Sequence, residues 1–165
     1  MNYNELDTSI LEAFKELDTS SLTDALDKQG IAGGLLGIKA VVPGTRLCGQ
    51  AFTVQYIPCG QTKGNVGDFL DDVPQGHVVV IDNGGRQYCT VWGDIMSQVA
   101  EWKGVAGTVI DGVCRDVKTI QDLKYPIFTK GNYMMTGKDR VEVASINEPV
   151  SISSVKVCPG DLIVA

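Results

Sequence analysis

Asp94 and the pair Arg115-Asp116 are the residues of this chain whose types and spacing could do chemistry, with twenty residues between Asp94 and Arg115. Two carboxylates and a guanidinium brought together can hold a divalent cation, grip a substrate carboxylate at two points, and steady a developing oxyanion. Each residue also has a plainer use. Asp116 can cap a helix that follows it, and Asp94 can be a first-turn acid favoured by the helix dipole. Arg115 can pair with Asp111 or Asp94, which is worth little at an exposed surface. Spacing alone leaves Asp116 open between cap and metal ligand.

The segment between these residues must position them. Trp92, Ile95, Met96, Val99 and Ala100 recur at spacings of three and four, which predicts a helix ending near Lys103-Gly104. Gly107 to Ile110 reads as a short buried strand closed by Asp111-Gly112. A helix of about eleven residues rises roughly 16 Å, and a strand of about five returns roughly the same distance. Helix start and strand end are therefore expected at one edge of a sheet. Upstream, His77 to Asp82 is a continuous apolar run, followed by a loop at Asn83-Gly84-Gly85 and then the helix. Strand, glycine loop, helix and strand make a βαβ unit with parallel strands and a right-handed crossover. Ligands collect at the carboxyl ends of such strands. The unpaired N–H groups of the helix start, with Gly93 allowing close approach, predict a small carboxylate bound on the amides of Gly93, Asp94, Ile95 and Met96. Asp82, Arg86 and Asp111 are expected at the same edge in supporting roles.

Trp92-Gly-Asp94, Gly104-Val-Ala-Gly107, Val109-Ile-Asp-Gly112 and Arg115-Asp116 resemble the RraA-like family, whose members include class II 4-hydroxy-4-methyl-2-oxoglutarate aldolases. Asp, twenty residues, then Arg-Asp is that family's aldolase signature, and here it is intact. Weaker likeness lies in Thr19-Ser-Ser-Leu-Thr-Asp-Ala-Leu26, in Pro43-Gly-Thr-Arg46 with the residues up to Thr53, and in Val157-Cys-Pro-Gly-Asp161, so that it runs from 19 to 165. The resemblance implies a swivelling β/β/α fold, an α/β domain with a mixed sheet and flanking helices. It would span 1–165 as one domain, with N-terminal helices in 1–30 and a C-terminal end shorter than is usual.

The implied activity is a metal-dependent lyase acting on 4-hydroxy-4-methyl-2-oxoglutarate, with oxaloacetate decarboxylase activity, through a metal-stabilised pyruvate enolate. The resemblance gives Asp116 to the metal, Mg²⁺ or else Mn²⁺, since a single carboxylate with water is the style of Mg²⁺. It gives Arg115 to the pyruvyl oxygens and Asp94 to proton transfer through ordered water. A homotrimer or hexamer with clefts between subunits is implied as well. A Schiff-base route needs a lysine in an apolar pocket, and neither Lys103 nor Lys130 has that context. The competing reading is a non-enzymatic regulator that binds and inhibits endoribonuclease RNase E. Such relatives typically lack the complete signature.

Composition narrows the classes further. A chain of 165 residues with 44% hydrophobic and 21% charged residues fits one ordinary globular domain. A net charge of −6 speaks against a general nucleic-acid or anionic-membrane surface. No apolar run approaches the ~20 residues of a membrane span, and no leader pattern opens the chain, so a soluble cytoplasmic protein is expected. Five cysteines without a CxxC spacing and a single histidine, His77, make a zinc site or a histidine-based hydrolase improbable. Cys114 abuts Arg115, but without a nearby histidine it reads as a structural residue rather than a nucleophile.

Elsewhere the patterns predict an amphipathic helix over 4–17 with Leu6, Ile10, Leu11, Phe14 and Leu17 on one face. A second helix capped by Asp18 should end at Gly30, before a loop at 30–37 that lacks nucleotide-binding glycine spacing. Strands are expected at 39–42 and 49–57, a helix at 64–70, and a helix at 117–123. Strands should follow at 126–129, 140–143 and 149–157, then a turn at Pro159-Gly160-Asp161 and a strand from Leu162.

Overall fold

Alternation of large apolar residues toward two faces organises the molecule. The computed structural model describes residues 3–61 and 65–165. Helices α1 (Thr8–Lys15) and α2 (Thr19–Lys28) come first, followed by strands β1 (Lys39–Ala40) and β2 (Cys48–Pro58). A single 3₁₀ turn at Leu70–Asp72 leads to β3 (Val78–Thr90), α3 (Asp94–Trp102), β4 (Gly107–Cys114), α4 (Val117–Leu123) and β5 (Ile127–Asn132). The chain closes with β6 (Val141–Ile146), β7 (Val150–Ile152), β8 (Val155–Val157) and β9 (Leu162–Val164).

The main sheet has the order β1-β5-β4-β3-β2-β6, with β9 also pairing to β2. Strands β2, β3, β4 and β5 are mutually parallel, while β1, β6 and β9 run antiparallel to their partners. This is the expected mixed α/β architecture. Phe52, Val54, Ile81, Ile110 and Ile127 face one side, where they pack with Trp92, Ala100 and Ile120 from the α3 and α4 region. Ala51, Val78, Val80, Val109 and Phe128 face the other, under the β7–β8 hairpin. Burial on both faces explains why the parallel strands are continuous apolar runs.

Several boundaries differ from expectation. The helix expected over 4–17 shrinks to Thr8–Lys15, because Asp7 caps it through Ser9 N at 2.8 Å. Gln50 holds the preceding residues extended, accepting from Leu6 N at 2.8 Å and donating to Asn4 O at 3.0 Å. No residue of α1 is fully buried, so its apolar face is only partly covered. The helix expected at 64–70 begins at Gly64, outside the described residues, and from Asn65 onward only the 3₁₀ turn forms. The segment 149–157 is a hairpin rather than one strand, turned by Ser153 and Ser154, both at positive φ as a two-residue hairpin turn requires.

The largest revision concerns Asn83-Gly84-Gly85, which is not a loop that ends the strand. β3 continues to Thr90 and returns to pair with β4 twice, Arg86 opposite Gly112 and Thr90 opposite Val113. Between Asp82 and Arg86, four steps of β3 match one of β4. Gly84 and Gly85 take φ of 58° and 68° in this excursion, a region glycine enters without steric cost. Asp82 Oδ1 accepts from Gly84 N at 2.8 Å and holds the bulge from inside. β4 is also longer than expected and runs through Asp111-Gly112 to Cys114.

Candidate active site

The sequence brings Asp94, Arg115 and Asp116 together, though not by matched lengths. β4 is about 26 Å long at 3.3 Å per residue, while α3 is about 14 Å at 1.5 Å per residue. The join is a backbone bond instead: Arg115 N donates to Trp92 O at 3.0 Å. Trp92 is only 2% exposed, its Nε1 donates to Ser97 Oγ at 2.8 Å, and its ring stacks on Tyr125 with centroids 6.1 Å apart. Ser97 Oγ in turn donates to Gly93 O at 2.9 Å. These contacts fix the entry to α3 against the end of β4.

Asp116 does not cap its own helix. It precedes α4 in the left-handed region, φ 56° and ψ 37°, with no capping bond from its side chain. The carboxylate turns back onto α3: Oδ2 lies 3.2 Å from Asp94 N and 3.2 Å from Arg115 Nε. A left-handed aspartate is uncommon, and here the conformation directs the side chain across to the neighbouring helix start. Gly93 makes room for it. A Cβ at that position would lie 2.6 Å from Asp116 Oδ2 and 3.2 Å from Arg115 Nε.

The helix N-terminus is partly filled by the protein's own acids. The Asp94 amide donates to Asp116, and the Ile95 amide donates to Asp94 Oδ1 at 2.8 Å. Two of the four amides expected to receive a ligand carboxylate are thus engaged. A ligand must share the helix end with these acids or displace them. Arg115 keeps both Nη groups without a protein partner among the described residues, and its side chain is 39% exposed. Arg115, Asp116, Val117, Asn132, Tyr133 and Met134 line a cleft of about 240 Å³ beside this arrangement. No sequence motif points to Asn132, Tyr133 and Met134. Their only signal is position, at the last residue of β5 and the two that follow, beside the end of β4.

The supporting acids turn out to be structural. Asp111 pairs with Lys130, not Arg115, and its Oδ2 accepts from Ser153 N at 3.0 Å. Asp82 Oδ2 accepts from Ser151 N at 3.3 Å. Both carboxylates therefore tie the β7–β8 hairpin to the sheet. Arg86 Nη1 donates to Tyr56 O at 3.2 Å and Asn83 O at 2.8 Å, inside the β3 excursion. Burial pushes the Cys114 thiol up to about 11, so its nearness to Arg115 does not activate it. The five cysteines are free thiols.

A mixed-sheet α/β domain with an arginine–carboxylate pair set on a helix N-terminus at the carboxyl ends of parallel strands is the class defined by fold and site. A family model described as RraA-like, Aldolase/RraA, matches residues 19–165, and the chain belongs to that family. Among its relatives, protein DlpA of Legionella pneumophila is 42% identical over 170 residues, covering 99% of this chain. The chain spans only 28% of that protein's length. A Halalkalibacterium halodurans protein provisionally named 4-hydroxy-4-methyl-2-oxoglutarate aldolase is 32% identical over 164 residues, covering 99% of this chain and 75% of the relative. The solved structure of Streptomyces coelicolor RraAS2, described as an unusual member of the RNase ES inhibitor RraA family, superposes with a TM-score of 0.91. It is 26% identical, with 99% of this chain and 83% of that one covered. Aldolase names recur among further relatives, which supports a lyase at the level of the family. No helix among the described residues is long and apolar enough to cross a membrane.

Proposed function

We propose that the chain is a divalent-cation-dependent lyase that cleaves a C–C bond of a 2-oxo acid, acting on 4-hydroxy-4-methyl-2-oxoglutarate and decarboxylating oxaloacetate. The observation that carries this reading is the Asp116 carboxylate held 3.2 Å from both the Asp94 amide and Arg115 Nε, at the mouth of a cleft. The aldolase names among relatives support it from outside the structure.

The donor set suits a hard, largely hydrated cation. Asp116 offers a carboxylate whose side chain is 35% exposed, with Oδ2 engaged and Oδ1 without a protein partner among the described residues. No group of three or more histidine, cysteine, aspartate or glutamate side chains gathers among those residues, which disfavours a zinc cage. Mg²⁺ or Mn²⁺, held by one carboxylate with water and substrate oxygens, fits what is present. When bound, the cation supplies electrophilic stabilisation of charge developing on the pyruvyl oxygen.

The chain's own groups do the rest. Asp116 fixes Arg115 through Nε and leaves the two Nη groups as a planar fork for the substrate carboxylate and 2-oxo oxygen. The positive end of α3 adds favourable potential for the anionic fragment. During cleavage the C4 hydroxyl loses its proton, C4 becomes a carbonyl, and the C3–C4 electron pair passes to the pyruvyl fragment. Protonation at C3 then completes the second pyruvate. In oxaloacetate the same pair is left behind when CO₂ departs. Asp94, with Oδ1 on the Ile95 amide, presents its other oxygen to move that proton through ordered water.

We place the working unit in a homotrimer or hexamer, in which a neighbouring protomer closes the cleft. Met134, which lines the cleft, is 74% exposed, and Ile95, next to Asp94 in α3, is 71% exposed, apolar surface that a second subunit would cover. In the test, purified protein with Mg²⁺ or Mn²⁺ releases pyruvate from both substrates above the cation-only rate. Equal rates with and without protein refute the lyase. The similarity to RraAS2 favours one second reading, inhibition of an RNase E-type endoribonuclease. Inhibition of such a nuclease with no pyruvate release would establish it instead.

A further inference from the structure

The hydrogen bonds around the start of α3 form a closed circuit between Trp92 and Arg115. One arm is the backbone bond from Arg115 N to Trp92 O at 3.0 Å. The other arm starts at Trp92 Nε1, which donates to Ser97 Oγ at 2.8 Å, and Ser97 Oγ lies 2.9 Å from Gly93 O. The Gly93–Asp94 peptide carries it further. Asp94 N donates to Asp116 Oδ2 at 3.2 Å, and the same oxygen accepts from Arg115 Nε at 3.2 Å. Chemistry fixes the direction of these bonds. An indole nitrogen can only donate, so the Ser97 hydroxyl accepts there and has its one proton left for Gly93 O.

Ser97 is fully buried inside α3, a place where alanine would suit the helix better. Gly93 O already accepts the ordinary helical bond from Ser97 N at 3.1 Å, so the hydroxyl adds a second bond to the same oxygen. Gly93 has no side chain to steady it, and the paired bonds on its carbonyl fix the plane of the Gly93–Asp94 peptide. In a trans peptide the N–H points opposite the C=O, so fixing one aims the other. The carbonyl is drawn to Ser97, and the Asp94 N–H is thereby turned out onto Asp116. We propose that Ser97 is a positioning residue of the active site. Its hydroxyl sets the Gly93–Asp94 peptide so that the Asp94 amide holds Asp116, and through Asp116 the Arg115 guanidinium, in the geometry of the reaction. The catalytic part of this proposal rests on the lyase reading above, while the aim of the peptide rests on the hydrogen bonds alone. A buried serine could instead serve only to satisfy the indole N–H, which needs a partner inside a protein. The two roles separate in a Trp92→Phe background, where no indole N–H remains.

The test uses the full chain carrying Ser97→Ala, Trp92→Phe or both, with Asp116→Ala as the reference. The first readout is the Asp94 amide signal in a nitrogen–proton correlation spectrum, recorded without divalent cation or substrate. Ser97→Ala should move that signal upfield, as Asp116→Ala does, because both lose the bond from Asp94 N. Trp92→Phe should leave it near the parent position. The second readout is Mg²⁺-dependent pyruvate release from oxaloacetate. Ser97→Ala should lower kcat/KM by about tenfold or more, less than the loss for a misplacement near 1 Å. The same factor should appear when Ser97→Ala is added to Trp92→Phe. The double variant leaves no buried indole N–H or hydroxyl to satisfy, so its melting temperature should match that of Trp92→Phe. A double variant as active as Trp92→Phe, or an Asp94 amide that Ser97→Ala does not move, overturns the proposal and leaves the lyase intact. A parent that releases no pyruvate removes the lyase reading and the catalytic part of the proposal with it, and the amide comparison then decides alone whether Ser97 aims the peptide.

Discussion

At the residue scale, the site turns on how one aspartate is aimed. Asp116 sits at φ 56° and reaches across to the start of α3 instead of capping α4. Asp116→Ala should abolish divalent-dependent activity, since it removes both the proposed cation ligand and the partner that fixes Arg115. Asp94→Asn should leave KM within a few fold and lower kcat, because the amide keeps the bond from Ile95 N but cannot carry a proton. Gly93→Ala is a sharper probe of geometry. Gly93 is extended at φ −151°, so alanine meets no backbone penalty there, but its methyl would sit 2.6 Å from Asp116 Oδ2. Activity should fall by about 10²-fold, as expected for a misplacement near 1 Å, while the melting temperature changes little. A fully active Gly93→Ala would contradict the placement of Asp116.

Cys114 gives a residue-scale prediction in the opposite sense. Its folded value, pushed up by burial from 9.0 to about 11, lies above that of the unfolded chain. Its contribution to stability is therefore complete below pH 9 and is lost as pH rises toward 11. Stability of Cys114→Ala should fall less steeply across that window than the parent's, measured by denaturant titration at several pH values. At pH 8 the native thiol should resist a thiol reagent that labels it after unfolding. What sequence disclosed here was the trio Asp94, Arg115 and Asp116. It did not disclose that Asp111 belongs to Lys130, because residues nineteen positions apart on adjacent strands meet only once register is known.

At the element scale, continuous apolar runs located β3 and β4 and their parallel order, because both faces of these strands are buried, and apolar spacing located α3. Periodicity failed where polar side chains, not packing, decide the path. Asp82 and Gly84 let β3 leave and rejoin its partner, and Gln50 holds residues 4–6 out of α1. Neither effect leaves a repeating pattern. Trp92 is the element-scale anchor, stacked on Tyr125 and bonded to Ser97. Trp92→Ala should cost about 3–5 kcal/mol by denaturant unfolding. Trp92→Phe keeps most of the ring contact and should cost less. If Trp92→Ala lost under about 1 kcal/mol, the packing assigned to the α3 entry would be wrong.

At the scale of the whole molecule, the site stands at one edge of the sheet, with Met134 of the cleft and Ile95 of α3 both exposed. A trimer of this 17.7 kDa chain, or a pair of trimers, is the expected species by light scattering. Ile95→Asp should weaken that assembly and the activity together. A fully active monomer would refute a shared cleft. Arg115 is proposed to stabilise the pyruvyl oxyanion through a planar fork that Asp116 holds in place. The most direct test of that claim is the rate of divalent-dependent pyruvate release from oxaloacetate by Arg115→Lys, with the melting temperature measured alongside. An ammonium keeps the charge but not the fork, so kcat/KM should drop by about 10²-fold or more at unchanged stability. An Arg115→Lys enzyme within about threefold of the parent would contradict the claim.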